Sequence, residues 1–284
     1  MIADSELILN TDGSIYHLNL KPEDLANTVI LVGDPDRLNV VSRYLNKVEV
    51  KKGKKDFITH TGVFRDKRIS VISSGIGTDN IDIVLNELDA LVNIDFTTKY
   101  LKTDLTSLDI IRIGTSGSIQ GNISVGTIIA SEYAIGLDAL MQYYIKPYTD
   151  VEKKIQDAIR NHLPKLNFQP YVGKASPKLL KQFAQGLPTG ITMTVPGFYG
   201  PQGRNIRSTN VYPDLIRQAM QFSLDGKKIT HLEMETAGIY ALANMFGHQA
   251  LSINAILASR VNDQFSEDPS KIIDDTIRYV LDRI

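Results

Sequence analysis

The segment Val29-Ile30-Leu31-Val32-Gly33-Asp34-Pro35 constrains the fold of this 284-residue chain most strongly. Its four apolar, β-favouring residues are typical of a strand buried on both faces, as in a parallel sheet covered by helices. Asp34 suits a helix N-cap and Pro35 suits the first helical position, so a helix is predicted from Pro35 to about Leu45. A buried strand that passes directly into a helix indicates an α/β fold.

The same alternation of strands and helices continues to the C-terminus. Further strands are predicted at 57–65 and 68–73 (a hairpin), 109–118, 125–135, 168–175, 191–195 and 250–258. Further helices are predicted at 78–92 with Thr78 as N-cap, 151–163, 213–224 and 269–284. Segment 95–108 is polar, and we expect a helix extension or a long loop there. No linker or repeat interrupts the pattern, so we expect a single domain over residues 1–284, in which residues 1–28 form an arm.

The composition excludes several classes of function. The chain has no cysteine, so it can form no disulfide, thiol nucleophile or thiolate metal site. A net charge of −1 provides no basic excess for nucleic acid or an anionic membrane. The first residues carry Asp4, Glu6 and Asp12 and no basic group, unlike a secretory signal, and no apolar run approaches the roughly 20 residues that cross a bilayer. We therefore expect a cytoplasmic protein that binds neither nucleic acid nor a membrane.

A loop rich in glycine and proline, Pro196 to Arg204, follows the predicted strand 191–195 and cannot form a regular helix. It contains Phe198, Gln202 and Arg204. An aromatic ring offers a stacking face to a flat ligand, and a carboxamide beside a guanidinium can bind carbonyl and N–H groups on the edge of that ligand. The loop therefore indicates a nucleobase site, and an ordinary surface loop with a polar tip is the alternative.

Two other strand ends carry groups that suit an anion. Gly33 and Arg37 flank the predicted start of a helix, where free N–H groups and the positive end of the helix dipole attract negative charge. Arg112 lies within an apolar strand, where an unpaired charge is costly, so we expect it to face an anion or a carboxylate beside Thr115. The alternatives are a surface arginine at Arg37 and an internal salt bridge at Arg112.

The segment Glu233-Met234-Glu235 lies where a strand is predicted to pass into a helix. We expect the two carboxylates to face opposite sides, which would argue against a glycosidase pair. A single ionised carboxylate can accept strong hydrogen bonds from neighbouring sugar hydroxyls. Glu235 is therefore a candidate sugar ligand, and the alternative is that it stabilises the N-terminus of the helix.

Together, Gly33 to Arg37, Arg112 to Gly117, Phe198 to Arg204 and Glu233 to Glu235 resemble the nucleoside phosphorylase family, and its uridine phosphorylase branch in particular. The resemblance runs from about His17 to the C-terminal helix. It implies a single-domain, three-layer α/β fold whose central mixed sheet is partly barrel-like and flanked by helices. It also implies a homodimer with shared active sites, alone or assembled into a hexamer.

The resemblance implies a role for each matching residue. The phosphate ligands would be Gly33, Arg37, Arg112, Thr115 and, from the neighbouring subunit, Lys55. The ribose ligands would be Glu233, Met234, Glu235 and, at the 5′-hydroxyl and again from the neighbouring subunit, His17. The base ligands would be Ser116, Gly117, Phe198, Gln202 and Arg204. Lys55 lies near the position where the family has a phosphate-binding arginine. Lysine keeps the positive charge but cannot form the bidentate contact of a guanidinium.

The implied reaction is the reversible phosphorolysis of uridine to uracil and ribose 1-phosphate by a pentosyltransferase that needs no cofactor. Its catalytic residues would be Arg204, Gln202, Arg112 and Glu235. Purine-cleaving and hydrolytic relatives carry an aspartate just after the last strand, where this chain has Ser259, and this difference favours a pyrimidine. The alternatives are a purine nucleoside phosphorylase, a hydrolytic nucleosidase and a non-catalytic nucleoside-binding protein.

Some relatives hold a monovalent cation at the dimer interface through a carboxylate. Asp56 is the candidate carboxylate in this chain. The nearby segment Thr78-Asp79-Asn80 does not match the family pattern, and we assign no metal.

Overall fold

The computed structural model describes residues 1–284 and contains fourteen strands and seven α-helices. The strands are β1 (Thr28–Val32), β2 (Lys47–Lys54), β3 (Phe57–Phe64), β4 (Lys67–Ser73), β5 (Ile94–Asp95), β6 (Tyr100–Leu101), β7 (Asp109–Ser118), β8 (Ile128–Gly136), β9 (Tyr171–Lys174), β10 (Thr189–Thr194), β11 (Ser223–Leu224), β12 (Lys227–Glu233), β13 (Gln249–Ser259) and β14 (Gln264–Phe265). The helices are α1 (Pro35–Ser42), α2 (Thr78–Asn93), α3 (Asp150–His162), α4 (Pro177–Phe183), α5 (Leu215–Gln221), α6 (Thr236–Phe246) and α7 (Pro269–Leu281). None of these helices combines the length and the apolar character needed to cross a lipid bilayer.

Twelve strands form one mixed sheet in the order β11-β12-β10-β8-β13-β7-β1-β4-β3-β2, with β9 paired to β8 and β14 to β13. An additional pairing of β12 with β7 closes β7, β12, β10, β8 and β13 into a five-stranded barrel. Strands β1, β4, β3 and β2 extend from the barrel as an open sheet. The predicted mixed, partly barrel-like sheet is therefore confirmed.

Strand β1 joins the barrel to the open sheet. It pairs in parallel with β4 on one side and with β7 on the other, and residues 29–32 have no exposed surface. The predicted burial on both faces is thus confirmed. Helix α6 is buried from Thr236 to Ala243, because it packs between α2 and strands of the barrel. Gly173 allows the close approach of β9, since a Cβ there would lie 2.6 Å from the Cβ of Tyr240.

The closure of the barrel brings two of the motif segments together. Strand β12 runs antiparallel to the end of β7, with Leu232 opposite Gly117 and His231 opposite Ser118. The chain leaves β12 at Glu233, so the segment that follows lies beside the C-terminal part of β7.

The structure differs from the prediction in several elements. Thr78 is not an N-cap, because α2 begins at Thr78 after Gly77, whose φ of 97° suits glycine. The segment after α2 is neither a helix extension nor only a loop, because β5 and β6 pair as a short antiparallel ribbon. Strand β2 and helix α4 were missed in the prediction. Strand β2 alternates exposed and half-buried residues and carries four lysines, as protected edge strands often do.

His231 is fully buried inside the barrel. Its imidazole Nε2 lies 3.2 Å from the Ser131 hydroxyl and its Nδ1 lies 2.9 Å from the Thr230 hydroxyl. Burial lowers the pKa of His231 from 6.5 to about 4, since a charged imidazole would lose its hydration there. The folded protein therefore holds a neutral histidine at a pH at which the unfolded chain would protonate it.

We expect the free energy of unfolding to fall as the pH drops from about 6.5 to 4, because only the unfolded state binds a proton to His231 in that window. The loss should be about 3 kcal/mol, and it should level off below pH 4. Urea unfolding gives the free energy of unfolding of the wild type and of His231→Gln at each pH in this range. The contribution of His231 is the difference between the pH dependences of the two proteins. An equal pH dependence in both would contradict a neutral, buried His231.

Candidate active site

A cleft of about 460 Å³ opens where the motif segments meet. It is lined by Gly33, Asp34, Arg37, Ile76, Arg112, Thr115, Ser116, Gly117, Phe198, Gln202, Arg204, Leu232, Glu233, Met234, Glu235, Leu257, Ala258 and Phe265. The structure therefore brings together every predicted site residue except His17 and Lys55, which lie elsewhere on the chain. A cleft of this size suits a small organic ligand.

Arg112 is buried at the centre of an ion cluster. Its Nη2 donates to the Glu235 carboxylate and lies 3.4 Å from Glu233, and its Nη1 donates to Oδ1 of Asn254 at 2.8 Å. Burial opposes the charged guanidinium, but the two glutamates hold the pKa of Arg112 above its usual value. Burial also raises the pKa of Glu235, and Arg112 counteracts that effect. The expected carboxylate partner of Arg112 is thus Glu235.

Glu233 and Glu235 have different structural roles. Oε2 of Glu233 accepts hydrogen bonds from the N–H groups of Glu235 (2.9 Å) and Thr236 (2.8 Å), so it stabilises the start of α6. Oε1 of Glu235 accepts one from the N–H of Gly77 at 2.8 Å, at the start of α2. The prediction that the two carboxylates face opposite sides was wrong, because residues two apart in an extended segment share a face, and both carboxylates contact Arg112.

Arg37 forms a second cationic group in the cleft. Its guanidinium lies 3.1 Å from the Asp34 carboxylate and donates to the carbonyl of Ile113 at 3.3 Å. Asp34 is also the N-cap of α1, because it accepts a hydrogen bond from the N–H of Arg37 at 2.8 Å. Burial lowers the pKa of Arg37, and its buried Nε has no hydrogen-bond partner. An anion in the cleft would supply a favourable partner for this side chain.

The loop after β10 holds Arg204 and Gln202 together. Nη1 of Arg204 donates to the Phe198 carbonyl at 2.7 Å and to Oε1 of Gln202 at 2.5 Å. The guanidinium also lies 3.9 Å above the Phe198 ring. Burial and the nearby charge of Arg260 lower the pKa of Arg204. Phe198, which was predicted to stack on a flat ligand, therefore also supports Arg204.

Three further residues that support this site were not predicted from the sequence. Asp34 was considered only as a cap, although it also pairs with Arg37. Arg260 donates to the backbone carbonyl of Gln202 at 3.0 Å, and its place directly after a buried strand could have identified it. Asn254 holds Arg112 from inside the barrel, and no sequence signal marks it.

His17 and Lys55 lie near one another, away from the cleft. The His17 ring packs edge-on against Phe57, with 6.2 Å between ring centroids, and Lys55 is an exposed residue of the turn before Phe57. Asp56 lies in the same turn. The chain contains no cluster of three or more histidine, aspartate and glutamate side chains that could hold a metal ion.

Comparison with known proteins identifies the family. The model of the phosphorylase superfamily matches residues 27–278. The uridine phosphorylase of Thermococcus kodakarensis is 28% identical over 262 residues, which are 92% of this chain and 83% of that protein. The DeoD-type purine nucleoside phosphorylase of Caldanaerobacter subterraneus subsp. tengcongensis is 28% identical over 274 residues, 94% of this chain and 98% of that protein.

A solved structure shows the same fold. The Trypanosoma brucei nucleoside phosphorylase that shows uridine phosphorylase activity superposes with a TM-score of 0.88 at 26% identity, over 98% of both chains. The match to the family model spans the whole lining of the cleft, from Gly33 to Phe265. This chain therefore belongs to the phosphorylase superfamily.

Proposed function

We propose that this protein is a uridine phosphorylase, a pentosyltransferase that converts uridine and phosphate reversibly into uracil and ribose 1-phosphate. One observation carries the proposal: a single cleft joins the Arg37–Arg112–Glu235 group to the Gln202–Arg204 pair. The first group suits phosphate and ribose, and the pair suits the edge of a pyrimidine.

The charges of the cleft favour a phosphate site that a neighbouring subunit completes. The charged residues that line it are Arg37, Arg112, Arg204, Asp34, Glu233 and Glu235. Three cations and three carboxylates balance, so a doubly charged phosphate would leave the cleft negative. A further cation from outside the chain would restore the balance. Lys55, exposed and remote from its own cleft, suits this role in a homodimer with shared sites.

Glu235 is the ribose ligand in this proposal. Its two carboxylate oxygens are fixed by Arg112 and by the N–H of Gly77, and an ionised carboxylate oxygen has capacity for a further hydrogen bond. The 2′- and 3′-hydroxyls of ribose could donate to these oxygens. The carboxylate of Glu233 accepts four hydrogen bonds within the protein, so its main contribution is to hold Glu235 in place.

Gln202 and Arg204 match the edge of uracil, where one N–H lies between two carbonyls. Oε1 of Gln202 accepts from Arg204 and keeps a second lone pair for the uracil N3–H. The Gln202 amide and the Arg204 guanidinium then donate to the two carbonyls. Cytosine carries an amino group in place of one carbonyl. That amino group would face an N–H donor of Gln202 or Arg204, and neither donor would have an acceptor.

The reaction forms a bond between a phosphate oxygen and C1′ and breaks the bond between C1′ and N1 of the base. The electron pair of the broken bond moves to uracil, where charge develops on the carbonyls. Arg204 and Gln202 stabilise that charge, so they act mainly on the transition state. The uracil anion then takes a proton from water, and no general acid is needed.

A purine nucleoside phosphorylase is the second candidate, because the similarity to the DeoD-type enzyme equals that to the uridine phosphorylase. A departing purine is best protonated on its ring by a positioned acid. Ser259 stands at the end of β13, buried, and its hydroxyl accepts the N–H of Asn262 at 3.2 Å. It supplies no acid to the cleft, and this favours a pyrimidine substrate.

We expect Arg204→Ala to lower kcat/KM for uridine by about 10²–10³, because it removes a donor to the charge that develops on uracil. The KM for phosphate should change little, since Arg37 and Arg112 are retained. Initial rates of uracil release over a range of phosphate concentrations measure both effects. Arg207→Ala, an exposed arginine of the same loop, is the matched control and should behave as the wild type. Near-normal turnover by Arg204→Ala would contradict the base assignment.

A substrate panel tests the reaction class. Uridine should release uracil only when phosphate is present. Cytidine and inosine should be turned over at least tenfold more slowly, which is about the cost of one mispaired hydrogen bond. Chromatography of the products with and without phosphate measures this. Release of free ribose without phosphate would indicate a hydrolase, and faster cleavage of inosine than of uridine would indicate a purine enzyme. An absence of product with every nucleoside would indicate a binding protein.

Complementation tests whether the site is shared. Lys55→Ala and Arg204→Ala should each be poorly active alone, but a heterodimer of the two would contain one site that carries neither substitution. Co-expression with random pairing should restore about a quarter of the wild-type activity. Activity that stays at the level of the single variants would show that Lys55 does not act in the cleft of a neighbouring subunit.

A further inference from the structure

Glu87, on α2, binds the N-terminal arm, and the proposed function assigns no role to this glutamate. Its carboxylate is mostly buried, with 12% of the side chain exposed. It accepts hydrogen bonds from the backbone N–H groups of His17 (3.0 and 3.1 Å) and Leu18 (2.7 Å). It also lies 2.7 Å from Nδ1 of His17. One side chain therefore fixes both the backbone and the ring of His17.

This contact selects one form of the imidazole. An ionised carboxylate can only accept hydrogen bonds, so Nδ1 of His17 must carry the hydrogen. In the neutral ring, Nε2 is then an acceptor. The aromatic neighbours limit rotation of the ring, because Tyr16 and Phe57 pack edge-on against it at centroid distances of 4.8 and 6.2 Å. Nε2 makes no hydrogen bond within the chain, and 39% of the His17 side chain is exposed.

The rest of the arm is held against the turn that carries Lys55. Nζ of Lys54 donates to the carbonyl of Tyr16 at 3.1 Å and lies 3.6 Å from the centre of the Tyr16 ring. Leu18 is fully buried in the main core. The arm thus holds the partly exposed ring of His17 in a fixed position, beside the residue proposed to complete a neighbouring phosphate site.

We propose that Glu87 is a positioning residue for the reaction. It holds His17 as the Nδ1-protonated tautomer, so that Nε2 accepts a hydrogen bond from the ribose 5′-hydroxyl in the cleft of the neighbouring subunit. This inference rests on the proposed function and on the shared site. The alternative is that Glu87 only attaches the arm to α2. A substitution of Glu87 would then lower the activity on all substrates equally.

The test compares Glu87→Gln with the wild type on uridine and on 5′-deoxyuridine, which lacks the hydroxyl in question. An amide can donate to Nδ1 and so permit the other tautomer, in which Nε2 no longer accepts. We expect kcat/KM for uridine to fall about tenfold and kcat/KM for 5′-deoxyuridine to stay unchanged. Equal losses on both substrates, or no loss on uridine, would overturn the proposal.

A double-mutant cycle separates positioning from general support. In a His17→Ala background, Glu87→Gln should have no further effect on uridine, because its target is gone. Glu6→Gln, the same chemical change at an exposed site of the arm, should leave both substrates unaffected. If the wild type releases uracil from neither nucleoside, it is the proposed function that fails, and this is distinct from a failure of the Glu87 assignment.

The tautomer can be measured without any variant. A ¹⁵N–¹H correlation spectrum of wild-type protein with labelled histidine, at a pH where the imidazole is neutral, should show His17 protonated on Nδ1 and unprotonated on Nε2. The opposite tautomer, or an equal mixture, would overturn the proposal even if Glu87→Gln does not fold.

Discussion

The buried ion cluster around Arg112 is the interaction on which the site depends. A guanidinium inside a barrel is tolerated only where carboxylates and hydrogen-bond acceptors replace its water. Arg112 obtains them from Glu235, Glu233 and Asn254, and Glu235 in turn accepts the N–H of Gly77. The cluster therefore joins β7, β13, the end of β12 and the start of α2, so the element ends that form the cleft are fixed relative to one another.

The space for this cluster is created by a residue without a side chain. A Cβ at Gly114 would lie 1.7 Å from Nη1 of Arg112 and 2.4 Å from Oδ1 of Asn254. Gly114 lies opposite Asn254 in the register of β7 and β13, so the guanidinium crosses directly over the glycine. A glycine inside a strand usually weakens it, and here it permits a close approach that the polar cluster requires.

The sequence allowed the prediction of features that depend on local chemistry. Val29 to Val32 had to be buried because nothing in that run is polar, and the cost of an unpaired charge required a partner for Arg112. The identity of that partner depended on where β12 ends. Glu233 and Glu235 were expected on opposite faces, whereas alternation along an extended chain places residues two apart on one face, as their shared contact with Arg112 shows. Asn254 could not be found, because only the register of β13 brings its amide to Arg112.

The two halves of the cleft differ in how completely one chain builds them. In the half proposed to bind the base, Arg204 is already held by the Phe198 carbonyl and by Gln202, whose backbone is held by Arg260. Donors fixed in advance need no reorganisation when charge develops on a departing base. In the half proposed to bind phosphate, each guanidinium is paired with carboxylates of its own chain, so no positive charge is left over. A dianion would gain little from such a site without an added cation. In the proposed function, base recognition is therefore a property of the single chain, whereas phosphate binding, and with it turnover, depends on assembly.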